Sequence, residues 1–195
     1  MPQPFLAAIF DLDGVLTDTA DVHARAWKDM VDPIVSRPFD VVHDYQAYVA
    51  GRPRIAGIRD FLKSRDVVLP EDELHKIGEE KNRRYVANLA RVGVRVNPEM
   101  LARMEQYTAS GVKIGIASSS KNARLVLDMA KLPFTGILVD GNDVETLGLA
   151  PKPAPDIFIH TAKLLGVPMA QCIIFEDSEA ALQQIAPAHG VLVHF

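Results

Sequence analysis

The chain has 195 residues, 48% of them hydrophobic, so it can bury the core of one domain, or of one domain with a smaller insert. A formal net charge of −4 and the lack of a long Lys/Arg cluster argue against a nucleic-acid-binding surface. Its longest apolar runs are strand-sized and no basic segment precedes an apolar one at the N-terminus, so neither a membrane span nor a secretory signal is expected. The single cysteine, Cys172, cannot form an internal disulfide, and we expect a cytoplasmic, reducing location.

The first short apolar run, Leu6–Phe10, is followed at once by two acids. Its continuous apolar character predicts a buried strand. Asp11 and Asp13 lie at the C-terminal end of this strand, and Gly14 allows the chain to turn. An ordinary turn is the alternative interpretation, because Asp and Gly are common turn residues. In open parallel sheets, however, ligands bind beyond the carboxyl ends of strands, where two neighbouring acids favour a bound cation.

Strand and helix patterns alternate through the rest of the chain. Further strand-like runs cover 112–117, 136–139, 172–175 and 191–193, and helical patterns cover 98–110, 122–131, 155–165 and 178–185. This alternation predicts an α/β fold with a Rossmann-like parallel sheet.

Residues 19–89 separate the first strand from the second and have a helical pattern. A segment this long is better explained as an inserted helical cap than as one crossover between strands. The sequence therefore predicts a core formed by 1–16 and 93–195, with a cap at 17–92. Within the cap, Thr19–Asp21 is a candidate helix start, a second helix runs from Glu71 to about Leu89, and Gly51–Arg54 is a loop.

Two further polar sites follow or precede predicted strands. Ser118 comes directly after the run that ends at Ala117, where a hydroxyl and helix N–H groups can hold a phosphate oxygen. The alternative is that Ser118–Asn122 forms an N-cap box before the next helix. Lys152 stands between Pro151 and Pro153, which stiffen its loop, and the alternative there is a solvated loop lysine.

A second acid pair, Glu176 and Asp177, follows the run 172–175. Right-handed crossovers place the carboxyl ends of parallel strands at one edge of the sheet, so both acid pairs are expected to meet there. Carboxylates suit Mg²⁺, which prefers oxygen ligands. An Asp carboxylate can attack phosphorus, and a second Asp can act as general acid and base. The spacing of the first acid pair does not match an EF-hand calcium loop.

The chain resembles the haloacid dehalogenase (HAD) superfamily in four ordered motifs. They are Asp11–Val15, Ser118, Lys152 and Glu176–Asp177. Within the superfamily it is most similar to the β-phosphoglucomutase group, with sugar-phosphate phosphatases close by. The segments that carry this closer similarity are Thr17–Ala20 with His23 and Ala26–Trp27, Lys81–Val86, Ser118–Asn122 and Lys152–Phe158.

The resemblance implies a role for each core motif. Asp11 would be the nucleophile and Asp13 the general acid and base. Ser118 and Lys152 would hold the transferring phosphoryl group. Asp11, the main-chain carbonyl of Asp13, and Asp177 would hold Mg²⁺, with assistance from Glu176.

The resemblance also places a type 1 cap at the helical insert and implies substrate-binding residues. The candidates are His23, Arg52, Arg54, Lys81, Ser120, Lys121 and Asn122. An exposed helix histidine is the alternative for His23, and either arginine could bind a distal phosphate. Lys81 lies on an apolar helical stripe with Leu74, Ile77, Tyr85 and Asn88, so it either snorkels to water or serves the substrate.

The leading hypothesis is Mg²⁺-dependent phosphoryl transfer on a small sugar phosphate through an aspartyl-phosphate, in the manner of a β-phosphoglucomutase. A sugar-phosphate phosphatase and a non-catalytic binding module on the same fold are the alternatives. A monomer or small homo-oligomer is expected. Eighteen residues follow Asp177, where family members usually continue through another strand and helix, so a shortened sheet edge or a fragment is also expected.

Overall fold

A computed structural model of the chain describes residues 5–49, 52–186 and 191–194. The chain divides into two compact units: Met1–Asp18 together with Val94–Phe195, and Thr19–Gly93. We call them unit 1 and unit 2. Their roles as catalytic core and cap, with predicted boundaries after residues 16 and 92, stay a prediction.

All the strands found among the described residues lie in unit 1. They are β1 (Ala7–Phe10), β2 (Thr17–Asp18), β3 (Arg95–Val96), β4 (Lys113–Ala117), β5 (Ile137–Val139), β6 (Cys172–Glu176) and β7 (Val191–His194). The helices in the described ranges are α1 (Ala20–Val31), α2 (Arg54–Lys63), α3 (Glu71–Val92), α4 (Pro98–Ala109), α5 (Ala123–Ala130), α6 (Gly141–Leu147), α7 (Asp156–Leu165) and α8 (Glu179–Ile185). A π-helical turn covers Tyr45–Val49 and a 3₁₀ turn covers Met169–Gln171.

Five of the strands form one parallel sheet in the order β5-β4-β1-β6-β7, which confirms the predicted α/β class. All four residues of the central strand β1 are fully buried. Because successive side chains of a strand point to opposite faces, this burial means that the sheet is covered on both sides. Helices α4, α7 and α8 pack against it.

The register of the sheet determines where the polar residues emerge. Phe10, the last residue of β1, pairs with Ile116 of β4 on one side and with Phe175 of β6 on the other. The three strands therefore end within one residue of the same level. Their next residues in the chain come together at one edge of the sheet, as the sequence predicts.

Unit 2 is built from helices around its own apolar core, which includes Trp27, Phe39 and Phe61. Helix α3 buries a stripe at steps of three and four residues, formed by Leu74, Gly78, Lys81, Tyr85 and Leu89. The stripe is rotated slightly from the predicted one, because Ile77 and Asn88 are only half-buried.

Three local predictions need correction. Helix α3 continues to Val92, and Gly93 then ends it with a φ of +77°. Arg54 begins α2 and does not lie in a loop, while Gly51 falls outside the described residues. The sequence analysis also missed α6, which begins after Asp140. Among the described residues, no helix is both long and apolar enough to cross a membrane.

Candidate active site

Three buried charged side chains meet where β1, β4 and β6 end. Lys152 Nζ donates hydrogen bonds to Asp11 Oδ1 at 2.5 Å, to Glu176 Oε2 at 2.8 Å and to the main-chain oxygen of Ala117 at 3.1 Å. The three charged side chains are at most 8% exposed. A single lysine thus connects three neighbouring strand ends.

Lys152 is therefore a buried cation and not the solvated loop lysine of the alternative interpretation. Burial alone would lower the pKa of Lys152. The carboxylates of Asp11 and Glu176 outweigh that effect and raise its pKa above the usual value. At neutral pH the side chain remains charged, so it can neutralise an anion but cannot serve as a base.

Asp11, Glu176 and Asp177 form an acidic group in which one oxygen of each carboxylate lies within 4.8 Å of the others. Burial raises the pKa of Asp11 well above its usual value, Lys152 opposes the rise, and the neighbouring carboxylates add to it. Partial burial, followed by the effect of Glu176, raises the pKa of Asp177 to about 6. Three acids against one lysine leave an excess of negative charge that a divalent cation would neutralise.

Gly14 provides the space that the Asp177 carboxylate occupies. Its φ of +102° is unfavourable for other residues, and an added Cβ would overlap Asp177 Oδ2. Because the donors are carboxylate oxygens, the acidic group fits Mg²⁺, a hard cation that prefers oxygen ligands. The Asp13 carboxylate does not belong to this acidic group. The resemblance assigns only the main-chain carbonyl of Asp13 to the metal.

A tight turn after β1 holds Asp13 in place. Gly14 N donates to the carbonyl of Thr17 at 2.7 Å, while Thr17 N and Oγ1 donate to the carbonyl of Leu12 at 2.8 and 3.1 Å. The turn leads into β2, whose antiparallel pairing with β3 anchors it further. Asp13 is half-buried, and its Oδ2 lies 3.5 Å from Ser118 Oγ.

Ser118 begins the loop 118–122 that follows β4. Its N–H donates to the carbonyl of Val139 at 3.0 Å, and its Oγ accepts from the N–H of Ser120 at 3.1 Å. Asn122, the last residue of this loop, occupies the N-cap position of α5, so the N-cap alternative applies to Asn122 and not to Ser118. Ser120 Oγ accepts from the N–H of Asn122 at 3.1 Å, and Lys121 extends to a surface pair with Glu145 at 2.7 Å.

In unit 2, two predicted substrate residues are in direct contact. Lys81, only 3% exposed, lies 2.7 Å from His23 Nδ1, and its ammonium lies 4.8 Å from the ring centroid of Tyr85 and 5.7 Å from that of Trp27. The His23 ring stacks on Tyr85 at 3.8 Å. Lys81 does not snorkel to water. Burial, Lys81 and then Arg54 lower the pKa of His23 well below 6.5, so the imidazole is neutral.

The two candidate arginines differ in their surroundings. Arg54 is partly buried, and its guanidinium donates to Asn82 Oδ1 at 2.9 Å and to the carbonyl of Gly78 at 3.2 Å. Both acceptors are neutral. Arg52 instead forms an exposed ion pair with Asp60 at 3.0 Å.

The family model for haloacid dehalogenase-like hydrolases matches residues 5–188. The chain belongs to this family. It is 36% identical to a β-phosphoglucomutase of Mycobacterium bovis over 91% of this chain and 76% of that protein. It is 34% identical to a β-phosphoglucomutase of Bacillus subtilis over 93% of this chain and 79% of that protein.

The fold agrees with this membership. A crystal structure of β-phosphoglucomutase from Clostridium difficile superposes with a TM-score of 0.85 at 29% identity, covering 97% of this chain and 84% of that one. The predicted HAD fold is thereby confirmed, and an inserted helical cap is inferred from this neighbour. As a HAD-family protein with these relatives, the chain is an enzyme, either a phosphomutase or a phosphatase.

The sequence analysis missed the residues at the start of α6 that contact loop 118–122. Asp140, 1% exposed, caps α6, and the Asn142 side chain donates to the carbonyl of Lys121 at 3.0 Å. The sequence signal for α6 was the spacing of Asp140 and Asp143 before Val144, a capping-box pattern, with Gly148 at the helix end.

Proposed function

We propose that this HAD-family enzyme transfers a phosphoryl group on a small sugar phosphate through an aspartyl-phosphate at Asp11, as a β-phosphoglucomutase does. The observation that carries the proposal is the buried contact of Lys152 with both Asp11 and Glu176. A lysine held by two carboxylates at strand ends is suited to neutralise phosphoryl charge, the main requirement of phosphoryl transfer.

In the first step, a carboxylate oxygen of Asp11 attacks phosphorus. The Asp11–phosphorus bond forms, and the bond between phosphorus and the leaving sugar oxygen breaks. Asp13, as general acid, gives its proton to that leaving oxygen. Asp13 lies beside Ser118 Oγ, and the proposal gives that hydroxyl the role of holding one phosphoryl oxygen.

In the second step, a hydroxyl of the acceptor gives its proton to Asp13 and attacks the phosphorus. The new oxygen–phosphorus bond forms as the bond to Asp11 breaks, which restores the free carboxylate. If the acceptor is a sugar hydroxyl, the enzyme is a mutase. If it is water, the enzyme is a phosphatase.

Asp11, Asp177 and the main-chain carbonyl of Asp13 would hold Mg²⁺, with Glu176 assisting, since their oxygen donors fit that ion. When bound, it would neutralise the acidic group and the charge of the phosphoryl oxygens. Glu176 itself is anchored through Oε2 to Lys152 and through Oε1 to the N–H of Ser178 at 2.9 Å.

The substrate residues of unit 2 are proposed from the resemblance and from their charge. The hydrogen-bond acceptors of Arg54 are neutral and do not neutralise its charge, which suits it to bind a distal phosphate. A guanidinium can donate two hydrogen bonds to one phosphate. Arg52 is the weaker candidate because it is already paired with Asp60. Neutral His23 and buried Lys81 would contribute polar contacts to the sugar phosphate, together with Ser120, Lys121 and Asn122 of unit 1.

We favour a sugar hydroxyl over water as the acceptor because the relatives named above are β-phosphoglucomutases. It is tested by incubating the full chain with Mg²⁺ and β-glucose 1-phosphate, primed with a trace of glucose 1,6-bisphosphate. Glucose 6-phosphate is the expected product. Release of free phosphate in its place would identify a phosphatase, and the absence of both products would reject this substrate.

The matched pair of variants for this assay is Asp11→Asn and Asp72→Asn. Asp72 lies exposed in the first turn of α3 and forms only a surface pair with Lys76. Asp72→Asn should retain full turnover, whereas Asp11→Asn should lose it. Equal turnover in the two variants would reject Asp11 as the nucleophile.

A further inference from the structure

Loop 118–122 carries the proposed phosphoryl-binding hydroxyl, and its main chain is held by a neighbouring helix that the sequence analysis missed. Gly141 N, at the first position of α6, donates to the carbonyl of Ser120 at 3.2 Å. The side-chain amide of Asn142 donates to the carbonyl of Lys121 at 3.0 Å. Two consecutive loop carbonyls are thus bound by α6.

The contact between the loop and α6 is also very close. A Cβ added at Gly141 would lie 2.5 Å from the carbonyl oxygen of Ser119 and 3.0 Å from the main-chain nitrogen of Lys121. Real Cβ atoms do not approach main-chain atoms so closely, so any larger residue must move either the loop or the helix. Gly141 is buried, and it sets the distance between the two segments.

Asp140 fixes the end of α6 that makes these contacts. Its Oδ1 accepts from the N–H groups of Asn142 at 2.8 Å and Asp143 at 3.2 Å, and Asp143 Oδ2 accepts from the N–H of Asp140 at 2.9 Å. This reciprocal pair is a capping box. Asp140 Oδ2 lies 3.4 Å from Arg124 Nε, in the first turn of the helix that follows the loop.

We infer that Asp140, Gly141 and Asn142, hereafter the α6 clamp, are positioning residues that hold loop 118–122 in the geometry required to bind the phosphoryl group. The inference rests on the proposed function. The α6 clamp acts through the loop: it binds the carbonyls of Ser120 and Lys121, and the N–H of Ser120 in turn donates to Ser118 Oγ. Misplacement of a reacting group by about 1 Å can cost two orders of magnitude in rate.

Two variants test the α6 clamp by different means. Gly141→Ala pushes the loop without removing any polar group. The φ of Gly141 lies outside the left-handed region, so alanine can adopt this backbone conformation, and its effect comes from the contact of its Cβ with the loop. Asn142→Asp replaces the amide donor by a carboxylate oxygen that repels the Lys121 carbonyl. Thr146→Ala, exposed on the same helix, is the control.

The measurement is the dissociation constant of inorganic phosphate, with that of Mg²⁺ and the unfolding midpoint recorded for every variant. Gly141→Ala and Asn142→Asp should each weaken phosphate binding about tenfold, a change of about 1.4 kcal/mol. The Mg²⁺ constant should stay within about twofold, since the acidic group is elsewhere on the sheet edge. Thr146→Ala should match the wild type in all three measurements.

The outcomes separate this inference from the proposed function. Failure of the wild type to bind phosphate and to turn over sugar phosphate would overturn both. An active wild type whose phosphate affinity is unchanged in both variants would overturn the α6 clamp alone. An equal loss of phosphate and Mg²⁺ affinity would also overturn it, because that pattern indicates general distortion.

A double-mutant cycle adds a measurement that a merely structural role would not affect. In a Ser118→Ala background the loop no longer offers the hydroxyl that the α6 clamp positions. The effect of Asn142→Asp on phosphate affinity should therefore shrink from about tenfold to about twofold. Full additivity of the two substitutions would show that Asn142 does not act through Ser118.

Discussion

Units 1 and 2 each bury a lysine, but the described contacts of the two ammonium groups differ. In unit 1, Lys152 is bound by two carboxylates, which raise its pKa. In unit 2, the described contacts of the Lys81 ammonium are an imidazole nitrogen and two aromatic rings. The described contacts of Lys152 thus include two ion pairs, whereas those of Lys81 include a neutral base and two ring faces. The Lys152 ammonium also lies 4.7 Å from the ring centroid of Phe158.

This difference indicates which change in charge should disturb the residues around each lysine. Removing Lys152 leaves two buried acids without their cation. In unit 2, protonation of the His23 imidazole is unfavourable, because burial and neighbouring cations lower its pKa. Unit 1 should therefore be sensitive to loss of a cation, and unit 2 to gain of a proton.

The largest effect is expected for Lys152→Met. It leaves Asp11 and Glu176 buried and unpaired, so the free energy of unfolding should fall by about 3 kcal/mol. Phosphoryl transfer should slow about a thousandfold, because the cation facing the phosphoryl group is gone. Denaturant unfolding and a turnover assay check both. Lys163→Met, exposed on α7, is the control, and equal behaviour of the two variants would contradict the comparison.

Gly14→Ala should come next, with an effect on metal affinity. The added Cβ overlaps the Asp177 carboxylate and should weaken Mg²⁺ binding about tenfold. Gly111→Ala is a close control, since Gly111 also has a positive φ, +76°, but an added Cβ would meet nothing within 4 Å. Titration calorimetry with Mg²⁺ should separate the two. A similar loss in both variants would mean that backbone strain, and not Asp177, is responsible.

The next prediction concerns pH. Because the pKa of His23 is lowered in the folded state, the unfolded chain takes up a proton below pH 6.5 that the folded chain does not. The contribution of His23 to the free energy of unfolding should therefore fall by about 1 kcal/mol between pH 6.5 and about pH 5.5. The raised pKa of Asp177 acts in the opposite direction over the same range, so the His23 contribution is read as the difference between the profiles of the wild type and His23→Asn. His23→Asn should remove this contribution, whereas His75→Asn, exposed on α3, should keep it. An identical pH profile in wild type and His23→Asn would contradict a neutral His23.

The two arginines should differ in their effects on stability and on KM. Arg54→Ala removes two hydrogen bonds and should cost about 1 to 2 kcal/mol of unfolding free energy. Arg52→Ala breaks only an exposed ion pair and should stay within about 0.5 kcal/mol. Steady-state kinetics should show a raised KM for Arg54→Ala alone. A raised KM for Arg52→Ala alone would transfer the proposed phosphate-binding role to that residue.

Much of unit 1 could be predicted because its strands are continuous apolar runs. A strand buried on both faces leaves no polar residue inside it, so Asp11, Ser118 and Glu176 marked the strand ends directly. Parallel pairing then brings these ends to the same edge of the sheet. The contact between Lys152 and Ala117 was beyond such reasoning, since loop 148–155 has no periodicity that reports its path.

Other features depended on packing that local patterns do not encode. Helix α6 has only seven residues and begins with glycine, a poor helix former, so its propensity is weak. Its capping box at Asp140 was the readable signal. The charge of Lys81 made its stripe on α3 ambiguous, and the aromatic rings of Trp27 and Tyr85 that surround its ammonium come from two different helices.

The central claim is that Asp11 becomes phosphorylated. The most direct measurement is acid quenching of the full chain during turnover with Mg²⁺ and radiolabelled β-glucose 1,6-bisphosphate, followed by peptide mapping of the label. The account predicts a hydroxylamine-sensitive phosphoryl group on the peptide containing Asp11, and none in Asp11→Asn. Label on another residue, or undiminished label and turnover in Asp11→Asn, would contradict it.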